Sequence, residues 1–201
     1  MYLRCFIAIE IPEQIKRAIG EVIEILKKYD LDVKWVNHEN LHLTLKFLGN
    51  TPEDLLPKIR DSLLNIVLSY EPFYIKIYGT GVFPNRKHPR VVWVGAVDSE
   101  ILGKLKVDIE ESMELLGYQI EDKEFRSHLT LGRVRSLKGI VNLVSELDNF
   151  QAKEFGTISV NSLRLMKSVL KPGGAEYSCL HDITLGKKSQ PLFIPPHQGG
   201  E

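Results

Sequence analysis

Trp35-Val-Asn-His-Glu-Asn-Leu-His-Leu-Thr-Leu-Lys-Phe-Leu-Gly49 sets a polar pair, His42 and Thr44, inside a run of leucines at a spacing of two. In an extended strand side chains alternate between faces, so Leu41, Leu43, Leu45 and Phe47 are expected to point to a core, and His42, Thr44 and Lys46 to share the other face. An imidazole that titrates near neutrality, beside a hydroxyl that donates a hydrogen bond, suits the handling of phosphate. The same tetrapeptide, His-Leu-Thr-Leu, returns within Phe125-Arg-Ser-His-Leu-Thr-Leu-Gly-Arg-Val134, giving His128 and Thr130. Ordinary alternation in a half-buried strand accounts for one copy; two copies in matching contexts call for another reason.

The contexts match over a long stretch. Residues 2–10 read as an apolar strand, and Pro12 opens a helix through Lys28 with Ile15, Ala18, Ile19, Val22, Ile23 and Leu26 at helical spacing. A short strand over 32–36, the His42 strand and a helix over 53–69 follow, and Phe73, Ile75 and Ile77 alternate as a further strand. Gly79 to Pro89 is expected to be a loop carrying Arg86, Lys87 and His88. The pattern then restarts with a strand from Arg90 to Val97, a helix over 99–117 with Ile101, Leu105, Ile109 and Leu116 on one stripe, and the His128 strand over 127–134. Counting 38 residues from Arg4 to His42 and 37 from Val91 to His128, the spacing points to an internal duplication. A shorter helix, Gly139 to Leu147, an alternating strand over 156–166 and a last strand, Tyr177 to Leu185, complete the chain.

This order predicts an α+β fold with two pseudo-symmetric lobes, each an antiparallel sheet with helices on its outer side, and a cleft between them. Residues 1–186 are expected to form a single bilobal domain, with duplicated units near 2–80 and 90–166 and the final strand at 177–185. The tail 187–201, rich in proline and glycine, is expected to be loosely held.

Composition narrows the classes of function. With 43% apolar and 26% charged residues the chain reads as an ordinary soluble protein, and its 26 basic residues are cancelled by 26 acidic ones. No global field then draws it to long duplex nucleic acid or to an anionic membrane, so any nucleic-acid contact should be local. Cys5 and Cys179 are too few for a disulfide framework or a structural zinc site, and both are expected to be small core residues. The apolar run from Cys5 to Ile9 is short and ends at Glu10 and Pro12, so it reads as a buried strand rather than a targeting or membrane segment. A monomer in the cytoplasm is the expectation.

In-line displacement at phosphorus places the attacking and leaving oxygens at opposite apices, which calls for a proton acceptor on one side and a donor on the other. Two histidines facing one another across a pseudo-symmetric cleft supply both, and Thr44 and Thr130 can donate to the non-bridging oxygens where charge accumulates. No metal or other cofactor is required by such a mechanism.

At this point the residues show a likeness. Paired His-x-Thr-x motifs in a duplicated chain resemble the two-histidine phosphoesterase superfamily. More narrowly, Phe6-Ile-Ala-Ile-Glu10, Asn40-Leu-His-Leu-Thr-Leu-Lys-Phe-Leu-Gly49, Gly81-Val-Phe-Pro84, Pro89-Arg-Val-Val-Trp93 and Phe125 to Arg133 are similar to the RNA 2′,3′-cyclic phosphodiesterases, the LigT-like 2′–5′ RNA ligases. The resemblance covers residues 2 to about 186. It implies hydrolysis of a terminal 2′,3′-cyclic phosphate to a 2′-phosphomonoester, with weak ligation in reverse; tRNA fragments, short oligonucleotides and a cyclic phosphate on a small nucleotide stay open as the substrate. It also implies that His42 donates a proton to the departing oxygen while His128 accepts one from water. Ser127 departs from the family, which often has proline before the second histidine.

Other readings compete. His38-Glu-Asn-Leu-His42 spells the zinc-protease motif, but zinc ligation needs both rings one turn apart on a helix. In a strand the two positions lie about 13 Å apart, too far to share an ion. His38 reads instead as a loop residue. Among the arginines, strand parity puts Arg126 on the histidine face, as a phosphate-binding candidate, and Arg133 on the opposite one. Arg86, Lys87, His88 and Arg90 could steer an anionic RNA end, or simply be solvated. Phe47 and Trp93 could stack a base, but both fit apolar runs and are expected in the core, and His181 reads as structural. The alternative from another class is a non-catalytic RNA-end or nucleotide-binding protein, against which stands the presence of a titratable ring in both copies.

Overall fold

The structure, a computed structural model, describes residues 1–97, 99–121, 124–172 and 174–186. The tail expected to be loosely held lies outside the described residues. In chain order the elements are β1 (Tyr2–Glu10), α1 (Glu13–Leu26), β2 (Val33–Trp35), a 3-10 turn (His38–Asn40), β3 (His42–Pro52), a second 3-10 turn (Glu53–Leu55) and α2 (Leu56–Val67). They continue with β4 (Phe73–Phe83), β5 (Val91–Ala96), α3 (Glu100–Glu114), β6 (His128–Val134), α4 (Ile140–Asp148), β7 (Glu154–Val160), β8 (Ser162–Lys171) and β9 (Gly174–Thr184).

The helices form where apolar residues recur at helical spacing. Ile15, Ile19, Val22, Ile23 and Leu26 are the buried stripe of α1. Ser99 caps α3 by accepting a hydrogen bond from the Leu102 amide at 3.1 Å. The buried stripe of α3 is Leu102, Leu105, Ile109 and Met113, while Ile101, expected on it, faces solvent. Starting the stripe one residue later keeps the spacing of three to four from the cap onward.

All strand pairing is antiparallel, in two sheets of order β3-β1-β8-β9 and β2-β6-β5-β4-β7. The fold is α+β, with one continuous apolar core behind both sheets. Helix α2 runs against β8 and β9 and α3 against β3; α1 runs against β7 and α4 against β4. The repeated unit is visible as β1-α1-β3 and β5-α3-β6, each a pair of antiparallel neighbours joined through a helix.

The sheets do not follow the halves of the sequence. The strand after the first unit, β4, pairs with β5 of the second, and β8, which follows the second unit, pairs with β1 of the first. The matching orders are thus β3-β1-β8-β9 and β6-β5-β4-β7, with β2 added at an edge. The segment 156–166, expected as one strand, is two, β7 and β8, lying in different sheets. The stretch from Gly79, expected to be loop, continues β4 as far as Phe83. Its glycines are needed there because a Cβ on Gly81 would sit 2.3 Å from the Trp93 ring, which lies across it.

Candidate active site

The chemistry-bearing strands share an irregularity. In β3, Thr44 is opposite Ala8 and Lys46 opposite Ile7, so Leu45 is an extra residue; in β6, Thr130 is opposite Trp93 and Gly132 opposite Val92, so Leu131 is extra. Both copies of His-Leu-Thr-Leu therefore end in a β-bulge at the same leucine. A bulge shifts the alternation by one residue. Up to Thr44 and Thr130 the expected faces hold, with Leu43 and Leu129 fully buried. Beyond the bulge they reverse. Lys46 enters the core and Phe47 emerges, 56% exposed, opposite Phe6. Arg133, opposite Val91, comes out on the face of Thr130, since Val91 and Trp93 lie on the same side of the regular strand β5. The expectations that Phe47 is core and that Lys46 and Arg133 lie on the faces assigned to them are corrected accordingly.

Each histidine is held in the same way. His42 Nδ1 lies 2.7 Å from the Asn40 carbonyl, and His128 Nδ1 lies 2.7 Å from that of Arg126, in both cases two residues back. A carbonyl only accepts, so Nδ1 carries the hydrogen and Nε2 is left to exchange a proton in the cleft. Asn40 also donates from its side chain to the Ala175 carbonyl at 2.9 Å, tying the start of β9 to the turn that orients His42. On the other side Ser127, buried, donates to the Ala96 carbonyl at 2.6 Å and anchors the strand start beneath His128. Proline at that position lacks the hydroxyl that makes this bond.

The surroundings of the two rings differ. Phe6 and Tyr177 pack on His42 at 4.7 and 5.1 Å between ring centroids, whereas Phe83 meets His128 edge-on at 5.0 Å. Burial pushes the His42 pKa below its ordinary value; the bond to Asn40 opposes this and the charge of Lys16 adds to it. Tyr177 lies near charged groups of both sheets. Burial raises its pKa, and Arg133 of the second sheet and Arg4 of the first oppose the rise. Strands β3 and β6 pack against one another, so the two strands that carry the His-x-Thr pairs are neighbours across the two sheets.

Thr44 and Thr130 are half-buried on the same faces as their histidines. Arg126 precedes β6 rather than lying within it, and its guanidinium is directed to Glu124 at 3.2 Å on the surface. His38 packs against Gly20, in a single 3-10 turn rather than on a helix shared with His42. Arg86 is held by the Asp148 carboxylate at 2.5 and 2.6 Å. Trp93 is half-buried rather than core, lying on the Thr130 face. Cys5 is buried as expected, but Cys179 is exposed, opposite Met166 on the cleft face of β9. Sequence reasoning missed Tyr177, Phe6 and Phe83 as wall residues. Local sequence carries no signal for Tyr177, which reaches His42 only because β9 joins the first sheet.

Two antiparallel sheets with neighbouring strands that each carry a His-x-Thr pair are the arrangement of a two-histidine phosphoesterase. Comparison with known proteins agrees. The family model for LigT like Phosphoesterase matches residues 9–93. An RNA 2′,3′-cyclic phosphodiesterase of Methanocaldococcus jannaschii is 36% identical over 180 residues, covering 90% of this chain and 99% of the relative. One of Methanothermobacter thermautotrophicus is 34% identical over 178 residues, covering 89% and 96%. Among solved structures, TT0787 of Thermus thermophilus superposes with a TM-score of 0.76 at 29% identity, covering 92% of this chain and all of that one. Escherichia coli LigT complexed with 3′-AMP superposes with a TM-score of 0.72 at 23% identity, covering 93% of this chain and all of that one, a likeness of fold. The chain belongs to the LigT-like phosphoesterase family.

Proposed function

We propose that this enzyme opens a terminal 2′,3′-cyclic phosphate on RNA to a 2′-phosphomonoester by acid–base catalysis that needs no metal ion. The observation that carries the reading is the repetition of the whole His-Leu-Thr-Leu device, down to the bulge and the Nδ1 bond, which leaves two Nε2 atoms on two related strands with no hydrogen bond among the described residues. Relatives that match nearly the full chain bear the name RNA 2′,3′-cyclic phosphodiesterase, which supports the substrate class.

In this reading His128 Nε2 accepts the proton of a water molecule as its oxygen attacks phosphorus. The bond from phosphorus to O3′ breaks on the opposite side, and His42 Nε2–H gives its proton to that oxygen, leaving a 3′-hydroxyl and a 2′-phosphate. Burial favours neutral His42 in the free enzyme; the phosphodiester anion entering the cleft supplies the opposite charge that favours imidazolium. Thr44, Thr130 and Arg133 donate to the non-bridging oxygens. A 5′-hydroxyl in place of water would give a 2′–5′ linkage by the same proton transfers, which is the weak ligation included in the proposal. The test is an assay on cyclic-phosphate RNA ends in the presence of chelator, with products identified as 2′ or 3′ esters. A 2′-phosphomonoester is expected; no turnover, or turnover rescued only by a metal ion, would overturn the reading.

A further inference from the structure

The cleft does not stop at the histidines. Along β1 the residues on the histidine side are Glu10, Ala8, Phe6, Arg4 and Tyr2, in order away from His42's partner Glu10. Phe6 packs on His42, and exposed Phe47 lies beside Phe6 at 6.2 Å between ring centroids. Arg4, opposite Asn50, is exposed and has no ion pair among the described residues. Tyr2, 69% exposed, lies roughly 13 Å along the strand from Phe6, at about 3.3 Å per residue. Beyond Phe47 an open groove of about 740 Å³ begins, walled by Tyr2 and Asn50 on one side and by Gln119 on the other. The acid on its wall, Glu121, faces Lys106 at 3.4 Å, which offsets its charge.

An exposed aromatic ring on a sheet face, an uncommitted guanidinium one step on, and a second exposed ring at the mouth of a groove make a stacking platform with a phosphate contact between its rings. Such platforms bind single-stranded RNA without reading its sequence, because every base offers a π-face. The bulge at Leu45 is what turns Phe47 outward to create it. We propose that Phe47, Arg4 and Tyr2 form a subsite for the nucleotides that precede the cyclic phosphate in a single-stranded RNA end, so that the enzyme takes an oligonucleotide in preference to a mononucleotide. This rests on the function proposed above and names its substrate more closely: bases stack on Phe47 and Tyr2, and the phosphodiester between them meets Arg4.

The test compares cytidine 2′,3′-cyclic phosphate with oligonucleotides of two and three residues ending in the same group. With the wild type, kcat/KM is expected to rise about ten-fold from one residue to two, as one stacked base and one phosphate contact are added. Phe47→Ala and Arg4→Gln should each remove most of that rise, and Phe47→Trp should keep it. Equal kcat/KM at all lengths, or a rise that survives both variants, overturns the subsite while leaving the proposed function standing. If the wild type turns over none of the three, the proposed function fails, and the subsite is judged by binding alone. A labelled oligonucleotide ending in a 2′-phosphate, followed by fluorescence anisotropy, should bind the wild type with a salt slope steeper by about 0.7 than Arg4→Gln, one phosphate contact on a single strand. An unchanged slope and affinity overturn the subsite by that route.

Discussion

Lys46 of β3 and Glu110 of α3 form an ion pair inside the protein, joining the strand that carries His42 to the helix that leads into the His128 strand. Lys46 is 1% exposed, and its ammonium also donates to the Gln119 carbonyl at 2.9 Å, while Lys106 holds the other carboxylate oxygen of Glu110. Burial by itself would raise the Glu110 pKa, but hydrogen bonds and charge from Lys106 and Lys46 outweigh it and bring it below the ordinary value. The pair exists because the bulge at Leu45 turned Lys46 inward.

Removing the carboxylate leaves the buried ammonium of Lys46 without an ion pair and Lys106 with only the more exposed Glu121, so Glu110→Ala should cost about 3–5 kcal/mol of stability in urea denaturation. Lys46→Met should cost less, because Glu110 keeps Lys106. The sign with pH follows from linkage. The folded pKa of Glu110 is lowered, so the unfolded chain binds more protons between the two values, and this stabilisation is complete above the ordinary carboxylate pKa and lost as pH falls through the folded one. Glu110→Ala should flatten that acid limb.

His42→Ala and His128→Ala should each lower turnover of a cyclic-phosphate substrate by about 10²-fold or more, with the fold intact by circular dichroism. The double variant should be little worse than either, since the rings act as a unit. A substrate with a good leaving group separates the roles: it should restore activity to His42→Ala and not to His128→Ala. The opposite rescue would exchange donor and acceptor.

The pH profile of kcat/KM for the free enzyme should be bell-shaped, with the limb belonging to His42 below the ordinary imidazole value of about 6.5, because burial disfavours its charged form. An NMR titration of the His42 ring should show the same lowered value, and saturation with inorganic phosphate should raise it. In the window between the folded and ordinary values the unfolded chain holds more protons, so this ring makes stability rise with pH there and fall on acidification.

Arg133 and Arg126 make opposite predictions. Arg133 shares the Thr130 face and has no ion pair among the described residues, so Arg133→Ala should lower kcat/KM by at least about ten-fold. Arg126 is engaged with Glu124 on the surface, and Arg126→Ala should stay within about two-fold. A larger loss at Arg126 than at Arg133 would return the phosphate contact to Arg126.

What the sequence determined by itself is local. The four polar residues of the two His-Leu-Thr-Leu motifs, their strand setting and the α+β class were legible because side-chain alternation and helical spacing need only neighbouring residues. Tertiary structure alone decided the rest. Which sheet β4 and β8 join is a choice among hydrogen-bond partners far apart in sequence, and the exchange between halves brings Tyr177 against His42. Period-two reading holds only until a strand takes in an extra residue, and the bulges at Leu45 and Leu131 form because β3 and β6 must stay paired with regular neighbours, β1 and β5. From each bulge onward the faces exchange, so that Lys46 is core, Phe47 is surface and Arg133 shares the face of Thr130, reversals that no window of the sequence announces.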